Sequence, residues 1–112
     1  MPLKKVQQEV HTWATQFKIP YWNPMEIIVR LTEETGELAR EINHRYGPKK
    51  KKSTEDVKDI GEEIGDILFT ITCLANSLDI DLNKAFRKTM DKCYNRDKDR
   101  FEKKDEKDTN QG

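Results

Sequence analysis

An acidic pattern of eight residues occurs twice in this chain. Leu31-Thr-Glu-Glu-Thr-Gly-Glu-Leu38 and Ile60-Gly-Glu-Glu-Ile-Gly-Asp-Ile67 align without a gap as apolar, small, Glu, Glu, variable, Gly, acid, apolar. On a helix turning about 100° per residue, positions three apart lie roughly 60° from each other and share a face. Glu34 and Glu37 therefore form one acidic edge beside Leu31 and Leu38, and Glu63 and Asp66 form its counterpart beside Ile60 and Ile67. If the two apolar stripes pack together, four carboxylates meet at one edge of the seam. Crowded carboxylates raise each other's pKa values, and burying one unpaired costs several kcal/mol. Either basic partners or a divalent cation must compensate. Neither copy has a Lys or Arg between its acids. The pattern thus favours a hard, oxygen-liganded cation such as Mg²⁺, Mn²⁺ or Ca²⁺.

Gly36 and Gly65 hold the same place in both copies. Each costs roughly 1 kcal/mol against Ala in a helix interior. Their repetition suggests close approach of two helices, or room for a ligand beside the acids. A single Glu-Glu-x-x-Glu is common on solvated helix faces; the matched pair, with the same glycine and flanks, argues for a joint role.

The elements that must carry these acids are helices. Leu3, Val6, Val10, Trp13 and Phe17 recur at helical spacing and predict a helix over 3–17, ended by Pro20. Asn23-Pro24 reads as an N-cap followed by Pro at the first helical position. The second helix runs from Pro24 to about Arg45, with Ile27, Leu31, Leu38 and Ile42 as its stripe, and Gly47-Pro48 stops it. A basic loop follows through Lys49–Lys52, where Ser53 or Thr54 can cap a third helix from about Glu55 to Leu78. Its stripe is Val57, Ile60, Ile64, Ile67, Ile71, Leu74 and Leu78. Asp81 can cap a fourth helix ending near Asp97, with Leu82, Ala85, Phe86 and Met90 as its apolar face. No segment alternates as a strand does, so an all-α four-helix bundle is expected. The expected organisation is one domain over 1–97 and a charged, disordered tail over 98–112.

Composition bounds the rest. The chain has 112 residues, 34% hydrophobic and 38% charged. A domain this small buries only about two-thirds of its unfolded surface, so so polar a chain is expected to complete its core as a homo-oligomer, dimer or tetramer. Lys plus Arg and Asp plus Glu are 21 each, which argues against a nucleic-acid binder. Cys73 and Cys93 form no Cys-x-x-Cys pair, Cys73 reading as a small buried hydrophobe. No leader segment or membrane span is evident, and the cytoplasm is the expected location.

The paired motif, Glu33-Glu34-x-x-Glu37 followed by Glu63-x-x-Asp66, resembles the signature of the MazG-like nucleotide pyrophosphohydrolases. The likeness extends to Arg30-Leu-Thr-Glu-Glu-Thr-Gly-Glu-Leu-Ala-Arg-Glu-Ile-Asn-His-Arg-Tyr-Gly47, Cys73-Leu-Ala-Asn-Ser-Leu-Asp-Ile80 and Asn95-Arg-Asp-Lys-Asp-Arg100. These are similar to the small single-domain bacterial branch, and the resemblance covers about residues 5–101. It implies an all-α fold that oligomerises, Mg²⁺ (or Mn²⁺ in its place) on Glu34, Glu37, Glu63 and Asp66, and hydrolysis of (deoxy)nucleoside triphosphates to monophosphate and pyrophosphate. Nucleotide-pool clean-up is the implied role. Glu33 or Glu62, beside the ligands, could accept the attacking water's proton, and Glu33 completes the motif. The family also carries a basic patch on its last helix; here Lys92 and Arg96, with Asn95 beside them, are the candidates for the phosphate tail. Trp22, near a helix start, is the candidate for contact with a base, whereas Trp13 fits the core face of the first helix and His44 reads as structural.

Two rivals stand beside this reading. One is a helical interaction module whose acids are only surface. The other is a di-iron or di-manganese redox bundle, which uses paired Glu-x-x-His motifs; His11 and His44 fall in none.

Overall fold

The structure, a computed structural model, describes residues 2–48 and 59–104. Among them lie four helices in the predicted order, and no strand: α1 Leu3–Ala14, α2 Pro24–Tyr46, α3 Ile60–Ser77 and α4 Leu82–Arg96. The chain divides into two compact units, Met1–Leu82 and Asn83–Gly112.

In the first unit α3 packs against both α2 and α1. The helix ends follow local chemistry. α1 stops at Ala14, well short of the predicted Phe17. Thr15 Oγ1 donates to His11 O at 2.8 Å, and Gln16 N and Phe17 N bond to Trp13 O and Ala14 O at 3.3 and 3.2 Å. These i→i−3 bonds tighten and end the helix before Pro20 is reached. α2 starts as predicted: Asn23 Oδ1 accepts from Glu26 N at 2.9 Å, with Pro24 at the first position. It ends at Tyr46, where Gly47 N reaches back to Asn43 O at 2.8 Å.

α3 starts at Ile60, later than the predicted Glu55. Its cap is Asp59, whose Oδ1 accepts from Gly61 N at 2.9 Å; Glu62 sits three residues on, the spacing of a capping box. The Lys49–Lys52 loop, the Ser53 or Thr54 cap and Val57 lie outside the described residues. At the other end Asp79 adopts a left-handed φ of 53°. Ile80 N bonds to Ala75 O at 2.8 Å and Asp79 N to Asn76 O at 3.3 Å, the bond pair of a Schellman motif.

The apolar core within this unit is thin. Among the described residues its fully buried apolar members are Ala14, Ile27 and Ala75. Thr70 and Thr72 are also buried, their hydroxyls donating to Asp66 O and Leu68 O at 2.8 and 2.7 Å. The predicted α3 stripe does not lie on one buried face: Ile64, Ile71 and Leu78 stay 54%, 38% and 48% exposed, and Leu68, outside that stripe, is 46% exposed. α3 is apolar around more than one face, the mark of a helix meant to be covered on two sides. Among the described residues no helix is long and apolar enough to cross a membrane.

The second unit is α4 and the turn after it. Arg87 Nε holds Asp91 Oδ1 at 3.1 Å along the helix. Asp97 Oδ1 takes Arg96 and Arg100 at 3.1 and 3.5 Å, and the Arg100 guanidinium lies 5.4 Å from the Phe101 ring centre. Arg100 and Phe101 fall at the start of the predicted tail over 98–112, of which 105–112 lie outside the described residues.

Candidate metal centre

α2 contributes Glu34 and Glu37, one turn apart, and α3 contributes Glu63. Each offers one carboxylate oxygen, and all three oxygens lie within 4.8 Å of one another. Ions bound at about 2.1–2.5 Å from oxygen can be shared across such a gap. Glu34 and Glu63 are 3% and 2% exposed, whereas Glu37 faces solvent. The cluster thus has a buried floor and an open side. Asp66 is exposed and stands outside the convergent trio, but it lines a cavity together with Glu34. It matches Glu37 in the repeat and carries one methylene fewer.

Compensation at Glu34 is partial. Arg30, one turn earlier on α2, brings Nη2 to Glu34 Oε1 at 2.9 Å. A search confined to the gaps between the acids misses this cation; the i,i+4 spacing was the available signal. Glu34 Oε2 is buried with no hydrogen-bond partner among the described residues. Burial holds the Glu34 carboxyl above its ordinary 4.5; Arg30 opposes the rise, and Glu37, Asp66 and Glu63 reinforce it. One arginine therefore leaves Glu34 short of positive charge. The donor set fits a hard divalent cation: three carboxylates, an orphaned buried oxygen and one side open to ligand.

Glu41 is a further buried acid, 7% exposed, two turns beyond Glu34 on the same α2 face. The seven-residue spacing was the signal for it. At Gly36 and Gly65 an added Cβ would meet nothing within 4 Å. Among the described residues, no neighbouring group comes close enough to require either glycine.

Beside the acids lies a cavity of about 510 Å³, with Arg30, Glu34 and Asp66 at its polar end. Its apolar wall includes Trp13, which is 50% exposed and not in the core as predicted. The Trp13 ring meets Phe17 and Phe69 edge-on at 5.2 and 5.6 Å. The one-chain core is too thin to cover it. Trp22 lines this cavity and also a shallower one of about 450 Å³ that includes Glu33. Glu33 is outside the acidic trio: its side chain is 58% exposed and 3.7 Å from Arg30 Nη1. Cys73 is half-buried on the cavity wall, and burial pushes its thiol above 9.0. Lys92, Asn95 and Arg96 belong to the second unit and are exposed. Arg96 directs its guanidinium fork at Asp97, with bonds of 3.1 and 3.3 Å that lower the Asp97 carboxyl.

Residues 23–101 match the MazG nucleotide pyrophosphohydrolase domain. YpjD of Bacillus subtilis (strain 168) is 56% identical over 104 residues, 93% of this chain and 94% of that protein. The crystal structure of Bacillus subtilis YpjD superposes with a TM-score of 0.72 at 57% identity, covering 80% of this chain and 91% of that one. A Bacillus-conserved MazG protein, a nucleotide pyrophosphohydrolase, superposes with a TM-score of 0.70 at 49% identity, covering 86% and 93%. A domain match across most of the chain and full-length relatives agree with the doubled acidic motif: the chain belongs to the MazG family of nucleotide pyrophosphohydrolases and is an enzyme.

Proposed function

We propose that this enzyme uses Mg²⁺, with Mn²⁺ as a substitute, to hydrolyse (deoxy)nucleoside triphosphates between the α and β phosphates, releasing monophosphate and pyrophosphate. The observation that carries the reading is the meeting of Glu34, Glu37 and Glu63 within 4.8 Å of one another, with Glu34 also lining a cavity. Three carboxylates repel a triphosphate, so substrate and cluster need cations between them. In this reading Glu34, Glu37 and Glu63 hold the ion and Asp66, on the rim, is the fourth ligand. The ion supplies charge neutralisation at phosphate oxygens and activation of the attacking water. Glu33, solvent-facing and adjacent on α2, takes the water's proton. Lys92, Asn95 and Arg96 hold the phosphate tail, Arg96 exchanging Asp97 for phosphate. The apolar part of the cavity receives the base, with Trp22 in contact with it. We place the activity in the cytoplasm, on the nucleotide pool, in a homo-oligomer. The redox-bundle alternative lacks support from its characteristic ligand, since no His belongs to the trio.

The test is product analysis. Purified protein incubated with (d)NTPs and Mg²⁺ should yield monophosphate and pyrophosphate, with turnover lost on chelation and restored by Mg²⁺. Diphosphate with inorganic phosphate would contradict the assigned bond.

A further inference from the structure

The connection between α1 and α2 builds much of the cavity wall: Phe17, Ile19, Pro20, Tyr21 and Trp22 all line it. Between Phe17 N and Asn23 O this segment makes no backbone–backbone hydrogen bond among the described residues. Side chains must therefore fix its place. The Tyr21 hydroxyl is 2.7 Å from His11 Nδ1 on α1 and accepts from Asn76 Nδ2 on α3 at 3.1 Å.

Asn76 has its orientation dictated by Gln7. Gln7 Nε2 donates to Asn76 Oδ1 at 2.9 Å, and Asn76 Nδ2 donates to Gln7 O at 3.0 Å. Gln7 in turn donates to Ile80 O at 2.8 Å and accepts from Leu82 N at 2.9 Å. With its oxygen committed to Gln7, the Asn76 amide can present only its N–H side to Tyr21. Asn76 also shares α3 with Glu63 and Asp66. One helix thus carries acids of the metal centre and the anchor of the aromatic wall, a rise of about 1.5 Å per residue fixing their separation.

We propose that Asn76 is a positioning residue which, through the Tyr21 hydroxyl, holds the aromatic wall at a fixed distance from the acids and so sets affinity for the nucleoside end of the substrate. This rests on the reading that the cavity receives the base. Neither residue touches the reacting phosphates, so their loss loosens binding and spares the chemical step.

The experiment is steady-state kinetics on Tyr21→Phe, Asn76→Ala and the double variant, using whichever nucleoside triphosphate the wild type turns over fastest. A net hydrogen bond corresponds to roughly a tenfold effect. Tyr21→Phe should raise KM about tenfold, with kcat within about twofold of wild type. The double variant should be no worse than the more impaired single one, because both substitutions break the same link. Product monophosphate should inhibit Tyr21→Phe more weakly than wild type, while inhibition by inorganic pyrophosphate stays unchanged. The exposed Tyr46→Phe is the control and should match wild type in KM and kcat. An unchanged KM in Tyr21→Phe, additive effects, or equal weakening of both product inhibitors would overturn the proposal. Should Asn76→Ala not fold, Tyr21→Phe with the two inhibitors decides alone. A wild type that turns over triphosphates but is not inhibited by monophosphate would instead sink the cavity's assignment to the base.

Discussion

Glu34 concentrates the electrostatic problem of the site. It keeps one buried oxygen without a hydrogen bond among the described residues, and burial first, then three acids, raise its carboxyl against a single arginine. The sign of its linkage follows. A carboxyl whose folded pKa lies above the unfolded value favours the fold while protonated, and that contribution is lost as pH rises through the folded pKa. In metal-free protein, Tm of Glu34→Gln minus Tm of wild type should therefore grow as pH rises from below 4.5 to neutrality. Saturating Mg²⁺ should reverse it, because the ion binds the ionised carboxylate. Thermal melts over a pH series check this, and a flat difference would remove Glu34 from the account. Much of this site was legible at the level of single residues. The i,i+3 geometry alone brings Glu34 and Glu37 to one edge, and the repeat brings Glu63 to meet them. The Arg30–Glu34 bond was not seen, because it depends on the reach of a long side chain and not on the motif. Nor did the wheel separate Glu37 from Asp66: the two share an angular position and differ in the length of the arm.

At the scale of elements, what was legible was local chemistry and what was missed was competition between local signals. Asn23-Pro24 admits one helix start, and that start is found. Ahead of α3, Ser53 and Thr54 offer a start in the sequence, whereas Asp59 holds the observed cap. α1 looked longer because apolar periodicity continues through Phe17, while the hydroxyl of Thr15 has already bonded back to His11 O. The end of α3 carries a residue in an uncommon conformation. Asp79 at φ 53° takes the place where glycine is favoured. A left-handed non-glycine residue costs roughly 1–2 kcal/mol, less for Asp, and glycine's extra unfolded freedom offsets part of the gain. Asp79→Gly should stabilise the protein by about 0.5 kcal/mol in a denaturant titration. Destabilisation would mean that the Asp79 side chain contributes more than its backbone strain costs.

For the whole molecule, the sequence already showed too little apolar residue for a full core; it did not show where the uncovered surface would fall. Ile64, Leu68 and Ile71 recur at helical spacing and remain partly exposed on α3. In the proposed homo-oligomer a second copy of the chain would cover this face. Sedimentation should give a species heavier than the 13.2 kDa chain, and Leu68→Glu should shift it toward monomer; a wild type that sediments as a monomer at micromolar concentration would contradict the oligomer. Over every scale the account depends on one physical event, the joint capture of a divalent ion by acids from two helices. Calorimetric titration of Mg²⁺ into metal-free protein measures it directly. Wild type should bind, and Glu37→Gln and Glu63→Gln should each bind about 100-fold more weakly while keeping their helical circular dichroism. Equal affinity in the wild type and both variants would contradict the account.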